Sequence, residues 1–333
     1  MTKMKDIAKQ LGVSSATVSM VLNNRPGVRD ETRRRVSEAL RSAGYNVPAS
    51  PLPSKQAANG SIHFIVYKKH GHIVGDTPFF SSLIEEIEGA AKEKGYNLQI
   101  SYLAEDTLPQ HIPRDAQGIL LLATEMRSAD MEPFLRLRTP IVTLDSALAG
   151  ARVDKVLIDN FDGAFTAVKY LYEKGHRRIG YLCSAVQIKN FDERREGHNA
   201  ALRDLGLAPN DFTVPLPPDT EGAYRAMLDY LKSGAMLPSA FVADFDVIAI
   251  GAMKALREMQ IAIPEQVSII GFDDIPFCTM TTPALTTIRV ERECLGKVAI
   301  QRLISIMSGG RDFILKQQVS TTLIERDSVA AKI

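Results

Sequence analysis

Apolar residues follow two different rhythms along this chain. In the first 45 residues they recur every three or four positions. Lys3 to Leu11 puts Ile7, Ala8 and Leu11 on one face of a helix. Gly12 breaks it. Ser14 is a good N-cap, because its hydroxyl can accept an N–H of the following turn. A second helix is therefore predicted over about Ser15 to Leu22, with Val18, Val21 and Leu22 available for burial. NNRPG, Asn23 to Gly27, is turn chemistry. A third helix, about Asp30 to Ala43, turns Val36, Ala39 and Leu40 inward. Gly44 ends it, and Tyr45 can pack back on the core.

From Ser61 the rhythm changes to short apolar blocks alternating with amphipathic stretches. The blocks predict strands at 62–67, 98–103, 118–123, 140–145, 155–159, 178–183, 239–244 and 268–273. Between them, helical patterns include 79–95, 161–175, 193–206 and 246–260. Repeated strand–helix–strand units with fully apolar strands imply parallel, doubly wound sheet. Several strands end in a carboxylate: Asp145, Asp159, Asp244 and Asp273. In open α/β sheets, ligands sit at the carboxyl ends of strands. About 270 residues is large for one such sheet, so two subdomains with a cleft are expected. Between the two regions, NVPASPLPSKQAANG at 46–60 holds three prolines and reads as an extended linker.

Charge sharpens this division. Residues 1–46 carry nine Lys/Arg and four acids, a net +5. The whole chain of 333 residues is +1, which leaves −4 for the rest. A basic head on a mildly acidic body suggests that one end faces a polyanion. The start MTKMKDIAKQ has no apolar run of a secretory signal, and no stretch of 18 apolar residues occurs. Cys183, Cys278 and Cys294 are far apart and suggest no disulfide framework. These features lead us to expect a cytoplasmic protein without a membrane partner.

A helix, a tight turn at Gly12 and a second helix make helix-turn-helix geometry. Here KDIAKQLGVSSATVSMVLNNRPGVRDETRRRVSEALRSAGY resembles the head of the LacI/GalR family of bacterial transcription regulators. Segments at 159–182, 193–198, 263–277, 283–303 and 321–328 resemble that family in the same order, among them GFDD and LTT. The resemblance implies a small all-α helix-turn-helix domain, 1–46, and a Pro-rich hinge, 47–60. Then follows a periplasmic-binding-protein-like α/β core, 61–333, of two doubly wound parallel-sheet subdomains. Subdomain N covers about 61–158 plus 290–320, and subdomain C about 159–289 plus 321–330.

The resemblance assigns base readout to Ser15, Ala16 and Met20, and phosphate contacts to Ser14, Thr17, Ser19 and Asn23. Arg33, with Arg34 and Arg35, adds charge; such a run also suits a solvated helix face. Met20 departs from the pattern, where a polar or charged reader is common. Ala16 and Met20 offer only apolar contact, which suits thymine methyl groups. In the family the linker usually forms a hinge helix whose leucine wedges into the minor groove. Here Pro48, Pro51 and Pro53 interrupt it, and the wedge position falls at Ser54.

Effector contacts implied by the resemblance map onto Asp76, Phe79, Phe80, Thr124, Arg194, Phe245 and Asp273. A carboxylate and an arginine can each take two hydroxyls of a sugar, and an aromatic ring can stack on its C–H face. Phe245 stands where Asn is common. Phe79 and Phe80 open a helix, so one of them suits the core equally, and Asp246 suits a helix N-cap. The expected function is a homodimeric transcription regulator, most simply a repressor, that binds palindromic operator DNA. A small effector in the cleft controls it: a carbohydrate first, with a nucleobase or nucleoside, or a corepressor-dependent regulator, as the alternative. The helix 295–307 suits either a dimer contact or plain burial. No catalytic residue, cofactor or metal is expected. His70 and His72 lack a third ligand nearby, LGKVA is no P-loop frame, and no nucleophile–base motif occurs.

Overall fold

The computed structural model describes residues 4–22, 28, 30–45, 47, 60–69, 71–75, 77–104, 116–208, 212–310 and 313–332. The chain divides into two compact units, Met1–Asn59 and Gly60–Ile333. The first holds α1 (Met4–Leu11), α2 (Ser15–Leu22) and α3 (Asp30–Ser42). Their apolar stripes meet in one core of Ile7, Ala8, Val18, Val21, Val36, Leu40 and Val47. Leu11, Leu22 and Ala39 are only partly buried at its edge.

Two glycines end helices here for the same reason. Gly12 (φ 66°) and Gly44 (φ 85°) take the left-handed conformation that a side chain resists. This lets Val13 N–H reach Ala8 O and Tyr45 N–H reach Leu40 O, both at 3.0 Å.

The second unit contains two six-stranded sheets. One has the order β11-β5-β4-β3-β1-β2, built from β1 (Gly60–Lys68), β2 (Tyr96–Ala104), β3 (Gly118–Leu122), β4 (Ile141–Leu144), β5 (Asp154–Ile158) and β11 (Lys316–Val319). All its neighbours are parallel. The other has the order β12-β10-β9-β8-β6-β7, built from β6 (Ile179–Ser184), β7 (Thr213–Leu216), β8 (Ala240–Ala243), β9 (Ser268–Asp273), β10 (Thr286–Val290) and β12 (Thr321–Ile324). It is parallel except for the β10–β12 pair. The chain passes between the sheets after β5, after β10 and again between β11 and β12. This is the expected doubly wound pair of subdomains.

Helices connect the strands: α4 (Pro78–Glu93), α5 (Glu132–Leu135), α6 (Asn160–Glu173), α7 (Lys189–Asp204), α8 (Thr220–Lys232), α9 (Asp246–Glu258) and α10 (Arg292–Met307). One boundary differs from the sequence pattern in a way that matters. The pattern starts a helix at Glu193, but α7 starts at Lys189. Its N-cap is Ile188, whose side chain can make no cap hydrogen bond, so the usual start signal is missing.

Candidate functional site

In the first unit, α2 carries the candidate DNA surface. Val18 and Val21 face inward, which leaves Ser15, Ala16 and Ser19 exposed and Met20 half-buried. Residues 15 and 16 lie one turn from 19 and 20, so these four form one continuous, uncharged face. Ser14 Oγ accepts Thr17 N–H at 3.0 Å and lies 2.8 Å from Thr17 Oγ1. Ser14 is therefore the cap of α2, as its position suggests. Asn23 and the linker prolines lie outside the described residues. The three arginines of α3 divide: Arg34 and Arg35 are exposed, whereas Arg33 is only 8% exposed. The reason is spacing. Arg33, Val36 and Leu40 share one stripe, so the stem of Arg33 lies along the core. The expectation that Arg33 shares an outer face with its neighbours is thus corrected.

In the second unit, the strand ends of both sheets meet at a cleft lined by Thr77, Phe79, Phe80, Thr124, Asp145, Asn190, Arg194, Phe245 and Asp273. Six of the seven residues expected from sequence are brought together there. The seventh, Asp76, lies outside the described residues. Phe79 and Phe80 stand edge to face, with centroids 5.0 Å apart. Phe245 stacks on Phe191 at 5.3 Å with 15° between the planes.

Arg194 is 4% exposed and serves several partners. Its Nε donates to Asn160 Oδ1 at 2.9 Å, and Nη1 donates to the Asp244 carbonyl. Nη2 reaches Asp273 Oδ1 at 3.4 Å, and the guanidinium lies 3.7 Å from the Phe272 ring centre. Burial pushes the Asp273 carboxyl up to about 7 despite Arg194. Asp246, expected as a possible N-cap, plays another part. Phe245 is the N-cap of α9, and Asp246 accepts from Thr287 Oγ1 (2.6 Å) and Ile275 N–H (2.9 Å). It pins the chain just after Asp273.

Sequence reasoning passed over two residues at this site. Asp145 accepts from Thr124 Oγ1 (2.6 Å) and from Asn190 Nδ2 (2.7 Å), and burial lifts its carboxyl to about 6. Asp145 follows β4 in one sheet, and Asn190 lies in the first turn of α7, which follows β6 in the other. Their bond therefore crosses the cleft. Nearby, Glu125 accepts the backbone N–H groups of Lys69, Gly71, Ile73 and Val74 at 2.8–3.1 Å, which shapes the segment after β1.

The model of bacterial regulatory proteins of the lacI family matches residues 3–47, and that of the periplasmic binding protein-like domain matches 168–329. The chain is 31% identical to the HTH-type transcriptional regulator GalS of Salmonella typhimurium, over 99% of this chain and 97% of that protein. The chain belongs to the LacI family. Another relative is the HTH-type transcriptional repressor PurR of Erwinia tasmaniensis, 30% identical over 99% of this chain and 97% of that protein.

Among solved structures, the lac repressor dimer bound to operator and the anti-inducer ONPF shares the fold with a TM-score of 0.71. It is 21% identical and covers 99% of each chain. A LacI family regulator from Enterococcus faecium with bound ribose gives 0.71 at 24% identity, over 82% of this chain and 100% of that one. As a LacI-family member the chain is a DNA-binding transcription regulator that responds to a small molecule. Its relatives are regulators, not enzymes. Among the described residues, no helix is long and apolar enough to cross a membrane.

Proposed function

We propose that this LacI-family chain is a cytoplasmic, homodimeric repressor of a palindromic operator, with a carbohydrate effector in the cleft. In this reading residues 1–46 read DNA, 47–60 connect, and 61–333 sense. Ser15, Ala16 and Met20 meet base edges, while Ser14, Thr17, Ser19 and Asn23 serve the backbone side; Arg33 packs its stem on the core of the head. The dimer draws support from the operator-bound lac repressor dimer, whose fold the chain shares. A two-fold pair of heads also doubles the contact on a palindrome.

The observation that carries the effector reading is the pair of aspartates, Asp145 and Asp273, placed at strand ends of opposite sheets beside Arg194 and the aromatic rings. Carboxylates and a guanidinium take hydroxyl pairs, and Phe79, Phe80 and Phe245 offer C–H stacking. The ribose bound in the Enterococcus faecium regulator fits this class. A nucleobase is the second reading, favoured by the stacked Phe191–Phe245 pair and by the similarity to PurR.

Thermal unfolding with panels of sugars and of nucleobases tests the class. A sugar is expected to raise the Tm of the wild type and not that of Asp273→Ala, which keeps operator binding. A shift by nucleobases alone replaces the first reading with the second. On the DNA side, Met20→Arg is expected to add a guanine preference at one base per half-site, worth roughly 1–3 kcal/mol of discrimination. Selection from random duplexes reads it, and an unchanged preference removes Met20 from the base-reading face.

A further inference from the structure

The chamber lined by the expected effector residues is nearly shut. Its volume is about 30 Å³, room for about two water molecules. Beside it, sharing Thr124 and Ile188, lies a second chamber of about 340 Å³. That size falls within the roughly 300–1,000 Å³ of small-molecule sites. Both sheets build it. The segments after β3 and β4 supply one side, and the approach to α7 with its first turn supplies the other.

The lining of this outer chamber has a definite character. Its floor is apolar, from buried Met126, Leu148 and Ile188. Its rim mixes hydroxyl, amide and both signs of charge, from Ser128, Gln187, Arg127, Lys189 and Asp192. An apolar floor under scattered donors and acceptors suits one C–H face and the hydroxyls of a sugar ring. A phosphate would meet Glu125 and Asp192 as well as Lys189 and Arg127, the last already paired with Asp130 at 3.1 Å, and a planar base would find no aromatic ring among these residues.

We propose that the outer chamber is a second sugar subsite, so that the effector has at least two glycosyl units, one in the outer chamber and one in the inner, which widens as the two walls part to admit it. The inference rests on the carbohydrate reading above. Such a ligand touches both walls along its length, and it binds the arrangement of sheets that brings the two chambers into line. Its differential affinity for that arrangement is the free energy available to act on the rest of the protein.

Thermal unfolding of the full chain with glucose, galactose, maltose, cellobiose, lactose and a wider panel of mono- and disaccharides tests this. The wild type is compared with Ala149→Trp and Gln187→Trp. Both positions are exposed and lie on opposite sides of the outer chamber, which the indole fills. Should one variant fail to fold, the other carries the comparison. A disaccharide is expected to raise Tm more than its component monosaccharides at equal concentration, and the Trp variants are expected to lose that excess. A monosaccharide that matches every disaccharide, or Trp variants that keep the excess, overturns the second subsite and leaves the carbohydrate reading standing. No shift by any sugar overturns the carbohydrate reading, and this inference with it.

Discussion

The two walls of the cleft hold a buried aspartate in different ways. Each comes from a strand end and each has a positive φ, 64° at Asp145 and 107° at Asp273. Such backbone is costly for a non-glycine residue and concentrates at functional positions. Asp145 is held by two neutral donors at 2.6 and 2.7 Å. Asp273 faces a guanidinium at 3.4 Å. An ion pair alone would make Asp273 the stronger acid, yet burial lifts it to about 7, against about 6 for Asp145. The geometry explains the order. Arg194 divides its donors among Asn160, the Asp244 carbonyl and Asp273, and Asp246 and Asp145 add like charge. Asp145 also feels the charge of Arg194, so both aspartates share that guanidinium, and Asp145 has two short hydrogen bonds besides. Asp273 is the group left short of donors, and that is where a ligand hydroxyl gains most.

The comparison breaks hardest at Arg194. Arg194→Leu strands Asp273 without its counter-charge and removes the donors to Asn160 and to the Asp244 carbonyl. Loss of one partner of a buried pair costs about 3–5 kcal/mol. The Tm of the body is expected to fall accordingly, at roughly 2–4 °C per kcal/mol. A variant that melts with the wild type would mean that the Arg194 network adds no net stability to the fold.

Asp273→Asn sharpens the electrostatic half. The carboxyl has a usual value of 3.8 and stands at about 7 in the fold. Between those values the native state keeps a proton that the unfolded chain has released, so wild-type stability falls as pH rises through that window. Asparagine imitates the protonated form and lacks this slope. The variant is expected to melt above the wild type at pH 8, by an amount of order a few kcal/mol. The gap closes progressively from about pH 7 toward pH 4. Groups common to both proteins cancel in the difference, including His198, whose burial pushes it down to about 4. Parallel melting curves at every pH would show that Asp273 is well solvated.

Much of the stronger-signalled wall was legible in the sequence. Arg194 and Asp273 sit in segments, 193–198 and GFDD, whose order along the chain carries a family resemblance, and Phe245 is placed as the residue before Asp246. Asp145 was visible only as one strand-ending carboxylate among four. Its role depends on a positive φ and on a helix from the other sheet, neither of which leaves a local trace. Asn190 was hidden by the start of α7, where Ile188 gives no cap signal. The RRR run did not reveal which arginine turns inward until α3 put Arg33 in line with Val36 and Leu40. Strands β11 (KQQV) and β12 (TTLI) are short and lack an apolar block. They exist because the chain crosses between sheets there and pairs with β5 and β10.

The weakest of these effects is the most direct test of the neutral wall. Asn190→Ala removes the one donor that, among the described residues, reaches Asp145 from the opposite sheet. A hydrogen bond to a charged group contributes about 1.5–3 kcal/mol, and Asn190 favours the ionised carboxylate. Asp145 has a usual value of 3.8 and stands at about 6 in the fold. The bond's contribution therefore fades as Asp145 takes up its proton below about pH 6 and grows as pH rises above it. Denaturant unfolding at pH 7.5 and at pH 5 is expected to show a larger loss at the higher pH. The loss should also be smaller than that of Arg194→Leu at both. An equal penalty at the two pH values would show that Asn190 acts by packing, and that Thr124 alone holds Asp145. A penalty that grows on acidification would reverse the sign and exclude an ionised Asp145 as the acceptor across the cleft.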